Sequence, residues 1–279
     1  MQYIAGVRDV ADAFEAFIVD QFGVLHDGSH AYPPAADCIE RLHAAGKRLV
    51  VLSNSGRRAT ANRARLAALG FDPALFHAVI TSGEVAWRAL ADRADEFHRS
   101  LGARCYVVAE GDPADFLAGL DLEPAADVAR ADFLLVIGIE TPRRSLESYL
   151  PILTEGIRRH LPMVSANSDV VRFTRSGLQP APGALAHRYE AMGGVVRGYG
   201  KPLPTIFLDC LQSLDGIDPS RVLAVGDSLE HDIQGAQGAG LASLYIRGGI
   251  GHAASAAEFD AAAQRLGVWP RFCAQRFAW

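Results

Sequence analysis

The sequence predicts an α/β protein: a doubly wound, largely parallel sheet into which a second, smaller α/β unit is inserted. Three observations carry that expectation. Short β-rich runs end abruptly in polar or Gly-rich residues and pass into helical periodicity, the grammar of βαβ units. The same grammar returns near the C-terminus. Between the two blocks lies a further set of strand and helix patterns with enough apolar residues to bury a core of its own.

The first run, AFIVD, ends at Asp20 and gives way to a loop. RLVVLSN comes next and leads into helical periodicity over 58–69, and AVITSG leads into the same pattern over 84–93. The inserted set comprises RCYVVAE with its helix, FLLVIGI, a helix over 145–160, PMVSAN, and a helix over 184–192. GLQPAPGAL reads as a shaped loop opening that last helix. RVLAVGDSLE with a helix over 232–239, and ASLYI before RGGIG, close the alternation. Residues 1–83 and 193–279 are therefore expected to form one discontinuous unit, with 84–192 as the insert. The tail after Gly251, ending VWPRFCAQRFAW, is expected to add a helix and an aromatic anchor.

A chain of 279 residues exceeds one average domain, and 49% apolar with 21% charged residues is ordinary for a packed globular enzyme. A net charge of -5, a pI near 6.0 and the absence of any lysine-rich block remove the electrostatic footprint of a nucleic-acid binder. The N-terminal stretch carries Arg8, Asp9, Asp12 and Glu15, unlike a signal peptide, and the longest apolar run, 133–139, is too short to span a bilayer. Cys38, Cys105, Cys210 and Cys273 are widely spaced with no C-x-x-C pair and read as reduced, buried thiols. A cytoplasmic enzyme is the expectation.

In open parallel sheets ligands bind beyond the carboxyl ends of the strands, so polar residues there are the ones to question. Four places stand out: Asp20 after FIV, Ser53 after LVVL, Lys201 in RGYGKP, and Asp227 after VLAVG with Asp232 a turn later. An acidic residue ending an apolar strand is costly unless paired or metal-bound, and two of them can share one hard cation, for which magnesium fits best. One carboxylate is then free to attack phosphorus while the cation, a lysine and a hydroxyl neutralise the phosphoryl oxygens.

The order D-x-x-G-[VI]-[LI], apolar-S-N, G-K-P and G-D-S-x-x-x-D resembles the four motifs of the haloacid dehalogenase superfamily, over nearly the whole chain. LSNSGRR, SANSD, GLQPAPGALA, YGKPLPTIF and GDSLEHDIQGAQGAGL make it similar to the capped class IIA branch of NagD-type nucleotidases and pyridoxal phosphate phosphatases. The resemblance implies a Rossmann-like core with an inserted α/β cap, and a Mg2+-dependent phosphatase acting on a small phosphorylated metabolite through an aspartyl-phosphate. Asp20 is then the nucleophile, Ser53 a hydroxyl donor to the phosphoryl group and Lys201 a charge offset to both. Asp227 holds the metal with Asp20 and the backbone carbonyl of Phe22, and Asp232 orients a metal-bound water or fixes Lys201. Asn54 contributes through its backbone amide.

Blander readings stay open beside these. Asp20 and Asp227 are also common turn residues, Ser53 and Asn54 suit an N-cap before 58–69, Asp232 suits an N-cap of its own helix, and Lys201 suits a surface charge. Arg57 or Arg58, and Arg172 or Arg175, are candidates to read a second anionic group on the substrate or stack on a ring, or are solvated surface residues. One departure matters: the family's typical acid two residues after the nucleophile is replaced by Phe22, which cannot transfer a proton. His26 is the nearest substitute. A slow or non-catalytic phospho-ligand sensor is therefore the competing function, and a homodimer is left open.

Overall fold

The computed structural model describes residues 1–174, 177–249 and 255–279. The chain divides into two compact units, one of residues 1–53, 60–80 and 201–279, the other of residues 54–59 and 81–200. The first holds most of the residues expected in the discontinuous unit, 1–83 and 193–279, and the second most of those expected in the insert, 84–192. The border expected after 192 falls after Gly200, because strand Val196–Gly198 pairs with Met163–Ser165 and so belongs to the insert's sheet. Residues 54–59, expected in the first unit, also pack with the insert.

The first unit is built on a seven-stranded sheet in the order Gln2–Tyr3, Phe272–Ala274, Ala242–Ile246, Val222–Gly226, Ala16–Asp20, Arg48–Ser53 and Ala78–Thr81. From Gln2–Tyr3 to Arg48–Ser53 the pairings are parallel. Ala16–Asp20 and Val222–Gly226 are buried along their whole length, as strands covered on both faces must be. Register sets which residues share a sheet end. Val19 pairs with Val225 and Asp20 with Leu52, so Asp20, Ser53 and Asp227 emerge together at the carboxyl ends of three neighbouring strands.

Helix Pro33–Ala44 begins on prolines and buries Ala35, Cys38, Ile39 and Leu42, the i, i+3, i+4, i+7 stripe of an amphipathic helix. Helix Ala256–Leu266 opens with a Ser255–Glu258 capping box and closes on Gly267. The expected aromatic anchor is Phe277, fully buried, with Trp279 packed on the same core; the tail also adds strand Phe272–Ala274, which the sequence pattern does not reveal.

The second unit has a five-stranded parallel sheet in the order Val196–Gly198, Met163–Ser165, Phe133–Val136, Arg104–Val108 and Glu123–Pro124. Its helices include Ser82–Asp92, capped by the Thr81 hydroxyl, and Pro182–Ala191. The helix expected over 145–160 is a 3-10 turn, Leu146–Tyr149, followed by an α-helix, Leu150–Arg158, started by Pro151. GLQP, expected as loop, is the second strand of an antiparallel hairpin, Val171–Thr174 with Gly177–Pro180. All four cysteines are buried, and none forms a disulfide. No helix among the described residues is long and apolar enough to cross a membrane.

Candidate active site

Asp20 ends its strand 8% exposed, and its carboxylate accepts a hydrogen bond from Lys201 Nζ at 2.5 Å. The same ammonium donates to Asp232 Oδ1 at 2.6 Å, so one buried lysine bridges two buried carboxylates. Asp232 is brought there by local backbone geometry. Ser228 caps the segment through its hydroxyl, a π-turn spans Leu229–Ile233, and the helix proper, Gln234–Gly238, begins only afterwards. The Asp232 carboxylate turns back to accept from the Ser228 N–H at 3.0 Å. Asp232 is therefore not the N-cap of its helix; the wide turn spends it on the site, a common use of π-bulges.

Oxygens of Asp20, Asp227 and Asp232 lie within 4.8 Å of one another, all three residues buried. Three carboxylates and one lysine leave a surplus of buried negative charge. Burial pushes the Asp20 carboxyl well above its ordinary range against the pull of Lys201, and Asp232 and Asp227 push it further. Burial works against the charge of Lys201, but Asp20 and Asp232 outweigh it and hold the ammonium above its usual range. A hard divalent cation suits such a cluster, because oxygen donors are what it prefers and its charge removes the excess. The backbone makes room for Asp227: a Cβ at Gly23 or at Gly249 would stand 2.0 or 2.1 Å from its Oδ2. The residues present fit a magnesium-type site.

Ser53 closes its strand half-buried, and Asn54 after it is 4% exposed. Both stand well ahead of helix Ala59–Ala68, which rules out the N-cap alternative. Asn54 Nδ2 donates to Asp169 at 2.7 Å, a contact that no sequence motif anticipates; SANSD, where an acid closes a turn ahead of the hairpin, is its only signal.

Phe22 is half-buried, its ring against Gly28 and edge-on to His26, with centroids 5.9 Å apart. His26 is 3% exposed, and its Nδ1 accepts from the Gly28 N–H at 3.0 Å, which leaves the proton of a neutral ring on Nε2. Burial lowers its pKa to about 4, with Arg65 adding to the shift and Asp27 opposing it.

Arg172 donates to Glu110 at 2.8 and 3.2 Å and to the carbonyls of Ile139 and Thr141 at 3.1 and 2.8 Å. Its guanidinium ties the hairpin to two loops of its own unit, an anchoring role that stands beside the expectation that it reads a substrate anion. Arg57 is exposed, its carbonyl taking the Thr81 hydroxyl. Arg175 lies outside the described residues.

Residues 17–123 match the family model described as haloacid dehalogenase-like hydrolase, and residues 198–271 match a second, HAD-hydrolase-like model. Human chronophin is 31% identical over 267 residues, covering 93% of this chain and 90% of chronophin. The chain belongs to the haloacid dehalogenase superfamily. Within that superfamily it is a phosphoric monoester hydrolase of the NagD-like, class IIA branch. A haloacid dehalogenase-like hydrolase from Brucella suis superposes with a TM-score of 0.86 at 25% identity, covering 99% of this chain and all of that one. Glycerol phosphate phosphatase from Mycobacterium tuberculosis, solved in complex with magnesium, superposes with a TM-score of 0.67 at 26% identity, over 86% of this chain and 70% of its own.

Proposed function

We propose that this haloacid dehalogenase phosphatase is magnesium-dependent and hydrolyses a small phosphorylated metabolite through an aspartyl-phosphate on Asp20, with acid catalysis weakened by Phe22. The observation that carries it is the buried set of Asp20, Asp227 and Asp232 bridged by Lys201. Asp20, Asp227 and the Phe22 carbonyl would hold the cation, which supplies charge neutralisation for the phosphoryl oxygens when bound. A relative solved with magnesium supports that choice of metal.

The chain's own residues divide the work. One Asp20 oxygen attacks phosphorus, the ester P–O bond breaks and the leaving oxygen departs with the bonding pair. Water then attacks phosphorus, the Asp20–phosphate bond breaks, and inorganic phosphate and the free carboxylate result. Lys201 favours the ionised form of Asp20 against the burial that raises its pKa, and offsets charge gathering on the transferring group, while Asp232 holds Lys201 in place. The Ser53 hydroxyl and the Asn54 backbone N–H donate to the phosphoryl oxygens. With Phe22 at the acid position and His26 neutral at pH 7, departure of the leaving oxygen has no side-chain proton donor at these two positions, so substrates with acidic leaving groups are favoured.

The same substitution favours the second reading, a sensor that binds magnesium and phosphate without appreciable turnover. Hydrolysis of p-nitrophenyl phosphate with and without magnesium separates the two, since its leaving group needs no proton. Turnover that requires magnesium and vanishes in Asp20→Asn is expected; turnover persisting in Asp20→Asn would exclude the covalent route, and none in the wild type would favour the sensor.

A further inference from the structure

We infer that Asp169 is a positioning residue for the phosphoryl-binding turn Ser53–Asn54, acting through the side-chain amide of Asn54. This rests on the phosphoryl site proposed above and extends it to a residue for which neither the motifs nor the relatives' names give a role.

Asn54 is nearly fully buried, and both ends of its amide meet closely packed partners. Nδ2 donates to Asp169 Oδ1 at 2.7 Å. On the other side, a Cβ on Gly200 would stand 2.5 Å from Asn54 Oδ1 and 2.9 Å from Ser168 Oγ, and Gly200 has φ +116, a conformation that a side chain would resist. The amide is thus wedged between the 168–169 turn and the backbone that leads directly into Lys201. Along the chain, this one side chain links the residue after the Ser53 hydroxyl to the residue before the Lys201 ammonium.

The backbone of Asp169 is itself held at two points. Its N–H donates to Asn167 Oδ1 at 2.8 Å, its carbonyl accepts from the Gly183 N–H at 2.8 Å, and Gly183 lies so close that a Cβ there would meet the Ser168 and Asp169 carbonyls at 2.3 and 2.7 Å. Ser165 Oγ donates to the Asn167 carbonyl at 3.1 Å, tying the turn to the end of its own strand. The carboxylate is therefore a fixed acceptor at the start of helix Pro182–Ala191, and it orients the residue whose backbone N–H is assigned to phosphate. A misplacement of such a donor by about 1 Å is enough to cost roughly a hundredfold in rate.

The test is a double-mutant cycle on the full-length protein, reading kcat, KM and inhibition by orthovanadate and inorganic phosphate with p-nitrophenyl phosphate as substrate. Asp169→Ala should lower kcat at least tenfold and weaken orthovanadate by a similar factor, whereas Asp169→Asn, which keeps an acceptor oxygen, should recover most of both. Asn54→Ala combined with Asp169→Ala should be no worse than the poorer single variant, because both remove one link. Thermal melts exclude a general loss of fold, and Asp169→Asn keeps the comparison open if the alanine variant fails to fold. Losses that multiply in the double variant, or Asp169→Asn as damaged as Asp169→Ala, overturn the inference. An active wild type with an unaffected Asp169→Ala overturns only the role of Asp169; a wild type that neither turns over nor binds phosphate overturns the phosphoryl site and this inference together.

Discussion

In the proposed mechanism Phe22 stands in place of a proton carrier and keeps a backbone carbonyl for the metal, so metal binding and acid catalysis would be separated at a single position. The ring packs against Gly28 and the edge of His26 instead of presenting a carboxyl. Rates should therefore fall steeply as the leaving-group pKa rises, with aryl and acyl phosphates turned over far faster than alkyl phosphates. Phe22→Asp should narrow that gap, by up to about 10²-fold for the poorest leaving groups, if the loop accepts a carboxylate. A series of esters graded in leaving-group pKa checks this, and a flat wild-type dependence would mean that another group donates the proton. His26→Ala should leave the slope as steep as in the wild type, because a histidine held near pKa 4 is already neutral at pH 7.

Arg172 illustrates how an element can claim a residue that composition assigns to ligand. On the hairpin, Arg172 pairs with Gln179 and shares its face, while Val171 and Pro180, also paired, fall on the other. The polar face is pinned by the guanidinium to Glu110 and two carbonyls. Removing it leaves the Glu110 carboxylate and two carbonyls without this donor, a loss of about 1–3 kcal/mol. Arg172→Ala should lower the melting temperature, Arg172→Lys should not restore it because the fork geometry is lost, and any fall in activity should be equal across phosphate esters. A fall confined to particular esters would return Arg172 to substrate contact.

At the scale of the whole molecule, the discontinuous unit closes its sheet from distant parts of the chain. Its stability accordingly responds to buried groups far from its termini. The folded pKa of His26 is about 4 against an ordinary 6.5, so the fold favours the neutral ring. Above pH 6.5 neither state is protonated and stability is full; as pH falls from 6.5 toward 4 the unfolded chain takes up a proton that the fold refuses, and stability is lost. The loss reaches on the order of 3 kcal/mol by pH 4. Denaturant melts between pH 7 and pH 4.5 should show it, and His26→Gln should flatten that part of the profile; an unchanged slope would place the acid sensitivity elsewhere.

Strand ends are legible in a sequence because parallel strands buried on both faces must be apolar throughout, and an acid that terminates one stands out against that run even where a turn would also accept it. AFIVD and VLAVGD announce Asp20 and Asp227 in this way, and the order of the motifs announces the family. Asp232 is legible as a site residue, but its π-turn is not, since a backbone hydrogen-bond shift of one residue leaves no periodic trace. The hairpin escapes because Gly, Pro and Gln read as loop until Val171–Thr174 lies alongside to pair with them. The Glu110 partner of Arg172 and the Asn54 partner of Asp169 both escape the sequence for one shared reason. A charged side chain looks the same in sequence whether its partner is a ligand or a residue dozens of positions away, and only the tertiary fold, by bringing Glu110 to Arg172 and Asn54 to Asp169, decides which.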